Sequence, residues 1–398
     1  MAKPFAGLRI ADFTVHNAGP FGTHMLGQLG AECIKVESAQ RPDIFRKPHP
    51  VYGRMGPASF DQVASGKLSV RINLKHKKGI ALAKRLVSIS DAAAESFRPG
   101  VIERLGLGYD ALCAVKEDII LLSVSSSGQS GPDSHFAGYA PLFGAWGGLG
   151  TLTGYEDGPP VEIRHVMDHT VGLNAALALI AALHHRRATG KGQHVDVAAR
   201  EVASSLIGEA LLLAAAGGVP GRMGNDHARM APHGVYPAQG EDCWLSLAVG
   251  SDAEWRALTQ VMGAPQLTDD ARFISAASRH ANRVELDAIV AEWSVTLPAD
   301  KAAALLQAAG VSAHPSWQAR DIVADPHLRA RRAIVDVSEP DGKIRAAIGV
   351  PMRLSKAEDI GIASGTPALG GHEDYVFGEL LGMSKAERQA LEDEEVIH

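Results

Sequence analysis

A chain of 398 residues, 46% hydrophobic and 21% charged, has the make-up of a globular protein and is too long for one ordinary domain, so two or three are expected. A net charge of −6, with no lysine and arginine run interleaved with aromatics, excludes a general attraction to polyanions, and nucleic acid is not an expected partner. The three cysteines, Cys33, Cys113 and Cys243, lack the spacing of a zinc site or disulfide framework and read as reduced thiols of a cytoplasmic protein; no secretory signal opens the chain, and no uninterrupted apolar run approaches the roughly 18 residues of a membrane span.

The first elements form a βαβ unit: a strand over 8–13, a helix that Gly30 stops after Leu29, and a strand over 32–36. Gly19, Gly22, Gly27 and Gly30 ahead of Glu37 suggest a dinucleotide-binding turn, but their spacing is not G-x-G-x-x-G, which argues against it. The alternation continues with a strand over 67–74, a helix over 79–88, a short strand over 92–97, helical turns over 101–105 and 109–114, and a strand over 119–125. Such alternation predicts an α/β fold with a parallel sheet.

Residues 128–160 are rich in glycine and too irregular for a sheet core, which makes them a candidate functional loop. Helices are predicted over 170–188 and 198–216, with a short strand over 194–197 between them and a break at 217–221. Composition then shifts to hairpin strands near Tyr236 and over 243–249, followed by helices to about residue 310. A strand-like stretch over 332–337 and a Lys/Glu-rich helical tail close the chain.

The run over 171–183 is apolar nearly all round, the pattern of a helix buried on every side, and Asp168 stands where it begins. Asp at such a position is a favoured N-cap. The same helix end does more, because its unpartnered N–H groups and the positive end of the dipole favour a negative carboxylate even beside apolar walls. A poorly hydrated carboxylate can attack an activated acyl group. The attack needs donors for the developing oxyanion, and the loop at 17–20 offers the Asn17 amide and backbone N–H groups at a helix start. His165 and His169, four apart, would face one metal ion on a helix, but no third ligand stands at a suitable spacing and no metal is expected.

Several short segments together are specific: Gly-Leu-Arg-Ile-Ala-Asp at 7–12, Ala-Gly-Pro at 18–20, Leu-Gly-Ala-Glu-Cys-Ile-Lys-Val-Glu at 29–37, Phe-Arg-Pro-Gly at 97–100, Ser-Gly-Gln-Ser-Gly-Pro at 127–132, the turn at 154–160 and Leu-Gly-Gly-His at 369–372. Across almost its whole length the chain resembles the family III CoA-transferases, which include formyl-CoA transferase, carnitine CoA-transferase and α-methylacyl-CoA racemase. The resemblance implies a large Rossmann-like domain over 1–200 to which 321–398 return, a smaller α/β domain over 224–320, and a homodimer of two ring-shaped chains threaded through each other. It also implies coenzyme A as thioester substrate, an acyl-CoA donor and a carboxylic acid acceptor, with no metal or redox cofactor. Asp168 matches the family nucleophile, which forms a mixed anhydride and then an aspartyl thioester.

Asn17 takes the place of a family amide beside the acyl group, with Val15 and His16 in the same loop. The positions matching the CoA-binding half include Ile72, Lys75, Phe97, Arg98 and Arg104, although Ser96 replaces the usual Asn before Phe97 and Ser38 follows Glu37 where some members carry Arg. The racemase branch uses an Ala-Gly-His-Asp segment where this chain has Tyr139 and Ala140, and a Tyr is a poor base for a proton α to a thioester, so transfer is expected over racemisation. Tyr139 is then expected to line the acyl site. The segment at 224–237 is similar to that of relatives acting on aryl or dicarboxylic acids, such as benzylsuccinate CoA-transferase, and places His227, Arg229 and His233 as candidates to face a substrate carboxylate. An acyl-CoA racemase, or a CoA-thioester binding subunit of a two-chain transferase, remains the alternative.

Overall fold

The computed structural model describes residues 3–48, 55–163, 166–339, 341–357, 360–362 and 364–398. Its chain divides into two compact units, one made by 1–150, 162–218 and 326–398, the other by 151–161 and 219–325. The segment 151–161, assigned from sequence to the large domain, therefore belongs to the second unit.

In the first unit the strands β1 (Arg9–Phe13), β2 (Glu32–Glu37), β3 (Leu68–Arg71), β4 (Ala92–Glu95), β5 (Ile120–Ser125) and β6 (Gln193–Ala198) form one sheet in the order β3-β2-β1-β4-β5-β6. Every pairing is parallel. Side chains alternate between two interiors, as period-two strands require. Ile10, Cys33, Ala92 and Ile120 face one cluster, whereas Ala11, Ile34, Ala93 and Leu121 face the other.

The first cluster is covered by α1 (Ala18–Gln28), joined later in the chain by the long helix 166–189; a single 3₁₀ turn at 44–46 precedes the helix α2 (Met55–Ala64). The second is covered by α3 (Lys77–Ser88), α4 (Val101–Arg104), α5 (Tyr109–Cys113) and the C-terminal turn holding Val376 and Phe377. The edge strand β3 does not end bare, since His372 donates its N–H to the Ser69 carbonyl at 3.0 Å.

Within the section expected to be loop, a helix forms, α6 (Ala140–Trp146), with Pro141 at its first turn where the missing N–H costs nothing. The next helix, α7, spans Val166–Thr189 and so starts earlier than predicted; Asp168 lies inside its first turn rather than at the cap. Thr170 Oγ1 donates to the Val166 carbonyl at 2.8 Å within that turn. The helix expected over 198–216 is two, α8 (Ala199–Ser205) and α9 (Gly208–Ala215), broken where Ile207 leaves helical geometry.

The expectation that α7 is buried on every side is also corrected. Met167, Val171, Gly172, Ala175, Ala176, Leu179 and Ala182 face the interior, but Leu177 is 64% exposed. With polar residues interspersed, α7 is long and apolar enough to cross a membrane by length and composition, which a count of uninterrupted apolar residues missed; 39% of its most apolar window is buried.

The second unit carries the antiparallel sheet β7 (His233–Pro237), β8 (Trp244–Ala248) and β9 (Ser312–Pro315). Helices α10 (Asp252–Val261), α11 (Ala276–Ala281), α12 (Arg283–Ser294) and α13 (Ala299–Ala308) accompany it. Its own core gathers Leu245, Leu247, Trp255, Phe273, Leu286 and Leu306, enough for an independent hydrophobic interior at about 1.5–3 kcal/mol per large side chain.

Candidate active site

In an open parallel sheet, the crevice outside the carboxyl ends of the strands, where strand order reverses, is the natural ligand site. Here the reversal falls between β1 and β4. The loop after β1 holds Val15, His16 and Asn17, and the loop after β4 holds Ser96, Phe97 and Arg98.

The two loops are stitched by Ser96. Its Oγ accepts the Val15 N–H at 2.9 Å and donates to the Val15 carbonyl at 3.0 Å. Gly19 sits tightly between them, for a Cβ there would stand 2.9 Å from Thr14 Cβ and 3.0 Å from Ser96 Cβ. The departure from the usual Asn at this position thus has a structural role that sequence reasoning did not supply.

The β1 loop is also fastened from beneath by charges the sequence reading missed. Lys67 Nζ donates to Asp12 Oδ2 at 2.7 Å, the Pro20 carbonyl at 2.9 Å and Thr23 Oγ1 at 2.8 Å. Asp12 accepts from the Thr14 N–H at 2.9 Å and from its hydroxyl, while Lys35 Nζ donates to the Thr14 carbonyl at 2.9 Å. Burial would raise the Asp12 pKa, but Lys67 and Lys35 outweigh it and hold the carboxyl below the usual range. Such a fully partnered buried pair fixes geometry more than it adds stability.

Asn17 opens α1: its carbonyl accepts the Phe21 N–H at 2.8 Å and its side chain is nearly buried without capping the helix. Helix α1 lies alongside α7 and runs the same way. A Cβ on Gly172 would stand 2.7 Å from the Ala18 carbonyl, and one on Gly22 would stand 3.2 Å from Ala175 Cβ. The Phe21 and His169 rings meet edge to face at 4.5 Å between centroids. Asp168 precedes Gly172 by four residues and so shares its face about one 5.4 Å pitch nearer the helix start. Both helix N-termini, bearing Asn17 and Asp168, therefore lie at the carboxyl edge of the sheet.

The His16 ring stands 6.1 Å from both Tyr139 and Phe45, edge to face in each case, on a left-handed backbone of φ 64°. Tyr139, which precedes α6, is 65% exposed. The structure thus brings Val15, His16, Asn17 and Tyr139 into one neighbourhood within the first unit. Lys75, Arg98 and Arg104 are exposed and follow the carboxyl ends of β3 and β4, a placement suited to phosphates. Arg104 curls back over the turn, so that a Cβ on Gly100 would stand 3.0 Å from its Nη1. Phe97 is half-buried, and its N–H donates to Glu95 Oε2 at 2.7 Å. Ile72, by contrast, is 1% exposed and packs in the second interior, so its side chain is structural.

His227, Arg229 and His233 belong to the second unit. The two histidine rings stand 5.2 Å apart; His227 Nδ1 accepts the N–H groups of Arg229 and Met230 at 3.1 and 3.2 Å, and His233 Nδ1 meets the Asn225 carbonyl at 2.8 Å. An open cleft of 820 Å³ in that unit is lined by Tyr155, Arg222, Asp226, His227, His280 and Arg283 among others. Arg229 is exposed and does not line it. His165 lies outside the described residues; among the described residues no group of three or more His, Cys, Asp or Glu is placed to hold a metal ion.

The family description "CoA-transferase family III" matches residues 5–373. The chain is 35% identical over 403 residues to the succinyl-CoA–D-citramalate CoA-transferase of Chloroflexus aurantiacus, covering 99% of this chain and 98% of that one. It is 31% identical over 401 residues to the β subunit of the succinyl-CoA–L-malate CoA-transferase of the same organism, covering 99% and 98%. The crystal structure of a CaiB/BaiF family protein from Brucella suis superposes with a TM-score of 0.86 at 31% identity, covering 96% of this chain and all of that one. The chain is therefore a member of CoA-transferase family III, an enzyme that moves CoA between an acyl-CoA thioester and a carboxylic acid.

Proposed function

We propose that Asp168 is the nucleophile of this transfer. The observation that carries the proposal is the side-by-side start of α1 and α7, which sets Asn17 and Asp168 at one edge of the sheet. A carboxylate Oδ of Asp168 attacks the thioester carbonyl carbon, the C–S bond breaks, and CoA leaves as thiolate from a mixed anhydride. The thiolate then attacks the Asp168 acyl carbon, expelling the donor acid as carboxylate and leaving an aspartyl thioester. The acceptor carboxylate attacks that thioester, the C–S bond breaks and CoA thiolate leaves a second anhydride; the thiolate then attacks the acceptor acyl carbon, whose C–O bond to Asp168 breaks and frees the Asp168 carboxylate. No net proton is consumed. The Asn17 amide and the N–H groups opening α1 stabilise the oxyanion of each addition.

CoA is assigned to the β1/β4 crevice, with Val15 and His16 on one side, Phe97 on the other, and Lys75, Arg98 and Arg104 toward the phosphates. Tyr139 lines the acyl group beside His16. The named relatives are succinyl-CoA–D-citramalate and succinyl-CoA–L-malate CoA-transferases, and a small dicarboxylic acid is the proposed acceptor. The absence of a His at position 139 supports transfer over racemisation.

Incubation with succinyl-CoA and mass measurement of the peptide holding Asp168 tests the mechanism. An acyl or CoA adduct on that peptide, and a loss of kcat of about 10³-fold or more in Asp168→Asn, are expected. Unchanged turnover in the variant would remove Asp168 from the chemistry.

A homodimer is the proposed assembly. Helix α9 is apolar yet buries none of its residues, and Leu212 is 74% exposed, so its surface asks for cover. The name of the malate relative raises an unlike partner as the second reading. Sedimentation of the purified chain decides between them: a dimer of this chain alone is expected, and a monomer active only after adding a second chain would favour the unlike partner.

A further inference from the structure

Glu95 ends β4 with a carboxyl that the transfer chemistry does not use and that is only 1% exposed. Its Oε2 accepts the Phe97 N–H at 2.7 Å, and Ser123 is its register partner on β5. Ser123 Oγ meets His194 Nε2 at 2.9 Å. His194 is exposed on β6 and stacks on Tyr109 with ring centroids 5.8 Å apart.

We propose that Glu95 is a positioning residue for the acyl-CoA: its carboxylate holds the Phe97 amide and so shapes the turn at 97–100 that borders the nucleotide crevice. The proposal rests on the assignment of CoA to that crevice.

The charge on Glu95 is delicately set. Burial pushes it up, the bonds from Ser123 and Phe97 pull it down, and the negative charges of Glu103 on α4 and Asp196 on β6 push it up again, leaving its pKa at about 7. A hydrogen bond to an ionised carboxylate is roughly twice as strong as one to its neutral acid. As pH falls through the midpoint the Phe97 amide is therefore held less firmly. The KM for acyl-CoA should rise about five-fold between roughly pH 8 and pH 6, while kcat at saturating donor moves less, because Asp168 and Asn17 stand on other elements.

The test combines three readouts on the full-length protein: KM and kcat for succinyl-CoA against pH, CoA affinity by calorimetry, and the amide resonance of Phe97 in protein labelled with ¹⁵N-phenylalanine. In the native chain, KM and the Phe97 resonance should share one midpoint. In Glu95→Gln both should be flat, with KM near its acid value. In Ser123→Ala the midpoint should move upward, since the neighbouring hydroxyl favours the ionised carboxyl; this second variant keeps the test decisive should the first fold poorly. A level KM, or a Phe97 amide indifferent to pH, overturns the proposal. A Phe97 amide that follows pH in a protein with no CoA affinity at any pH overturns the crevice assignment itself, and the role with it.

Discussion

Gly172 of α7 lies against the Ala18 carbonyl at the start of α1, so close that a Cβ would stand only 2.7 Å from that oxygen. Ordinary helix propensity favours alanine over glycine by about 1 kcal/mol, so a glycine here reflects approach of the two helices. Gly172→Ala should reverse the propensity gain and destabilise by about 1–3 kcal/mol through overpacking. Because α1 would be pushed off the helix that carries Asp168, kcat should fall as well. Chemical denaturation and steady-state kinetics on the same preparation check both, and a stabilised, fully active variant would contradict the packing described.

Much of this geometry was legible in the residues, for identifiable reasons. Strands buried on both faces read as short apolar runs, and the alternation of Ile10 with Ala11 or Ile120 with Leu121 between two interiors is what a doubly covered sheet requires. Asp168 was visible because an acidic residue ahead of an apolar run stands out. Asp12 and Lys67 were not, since each alone looks like any charge in a strand; only the fold brings them within 2.7 Å across 55 positions. Helix α6 was hidden among Gly138, Gly144, Gly147 and Gly148, whose turn-forming reputation outweighed the apolar residues between them. Assignment of 151–161 to the second unit depends on tertiary contact, such as the Gly224 N–H donating to the Gly154 carbonyl at 2.8 Å, which no local pattern encodes.

His24, on the buried face of α1, shares a 2.8 Å contact with Gln28. Burial, with the Lys67 charge adding to it, lowers its pKa from 6.5 to about 3. The unfolded chain therefore binds a proton that the folded chain refuses, in the window between those two values. Stability from this group is fully present above about 6.5 and is lost as pH falls toward 3, amounting to a few kcal/mol at the acid end. Urea midpoints measured from about pH 7 down to pH 4 should decline in the native protein. In His24→Gln the decline should be shallower by the share of one proton, whatever the variant's absolute stability; parallel curves would mean His24 is not the group responsible.

Ser96 joins the two walls of the crevice through both backbone groups of Val15. Its removal in Ser96→Ala leaves a half-buried N–H and carbonyl to find water, at about 1–2 kcal/mol for the pair. That cost falls on the loop bearing Val15, His16 and Asn17 and leaves untouched the core beneath it, which Lys67 and Lys35 still anchor. The melting temperature should accordingly move by only a few degrees, while kcat/KM for the acyl-CoA falls about ten-fold. The separation of the two effects is the point of the measurement. A loss of stability without loss of kcat/KM would show that the stitch serves the fold alone, and a native kcat/KM would show that the β1 loop keeps its shape without it.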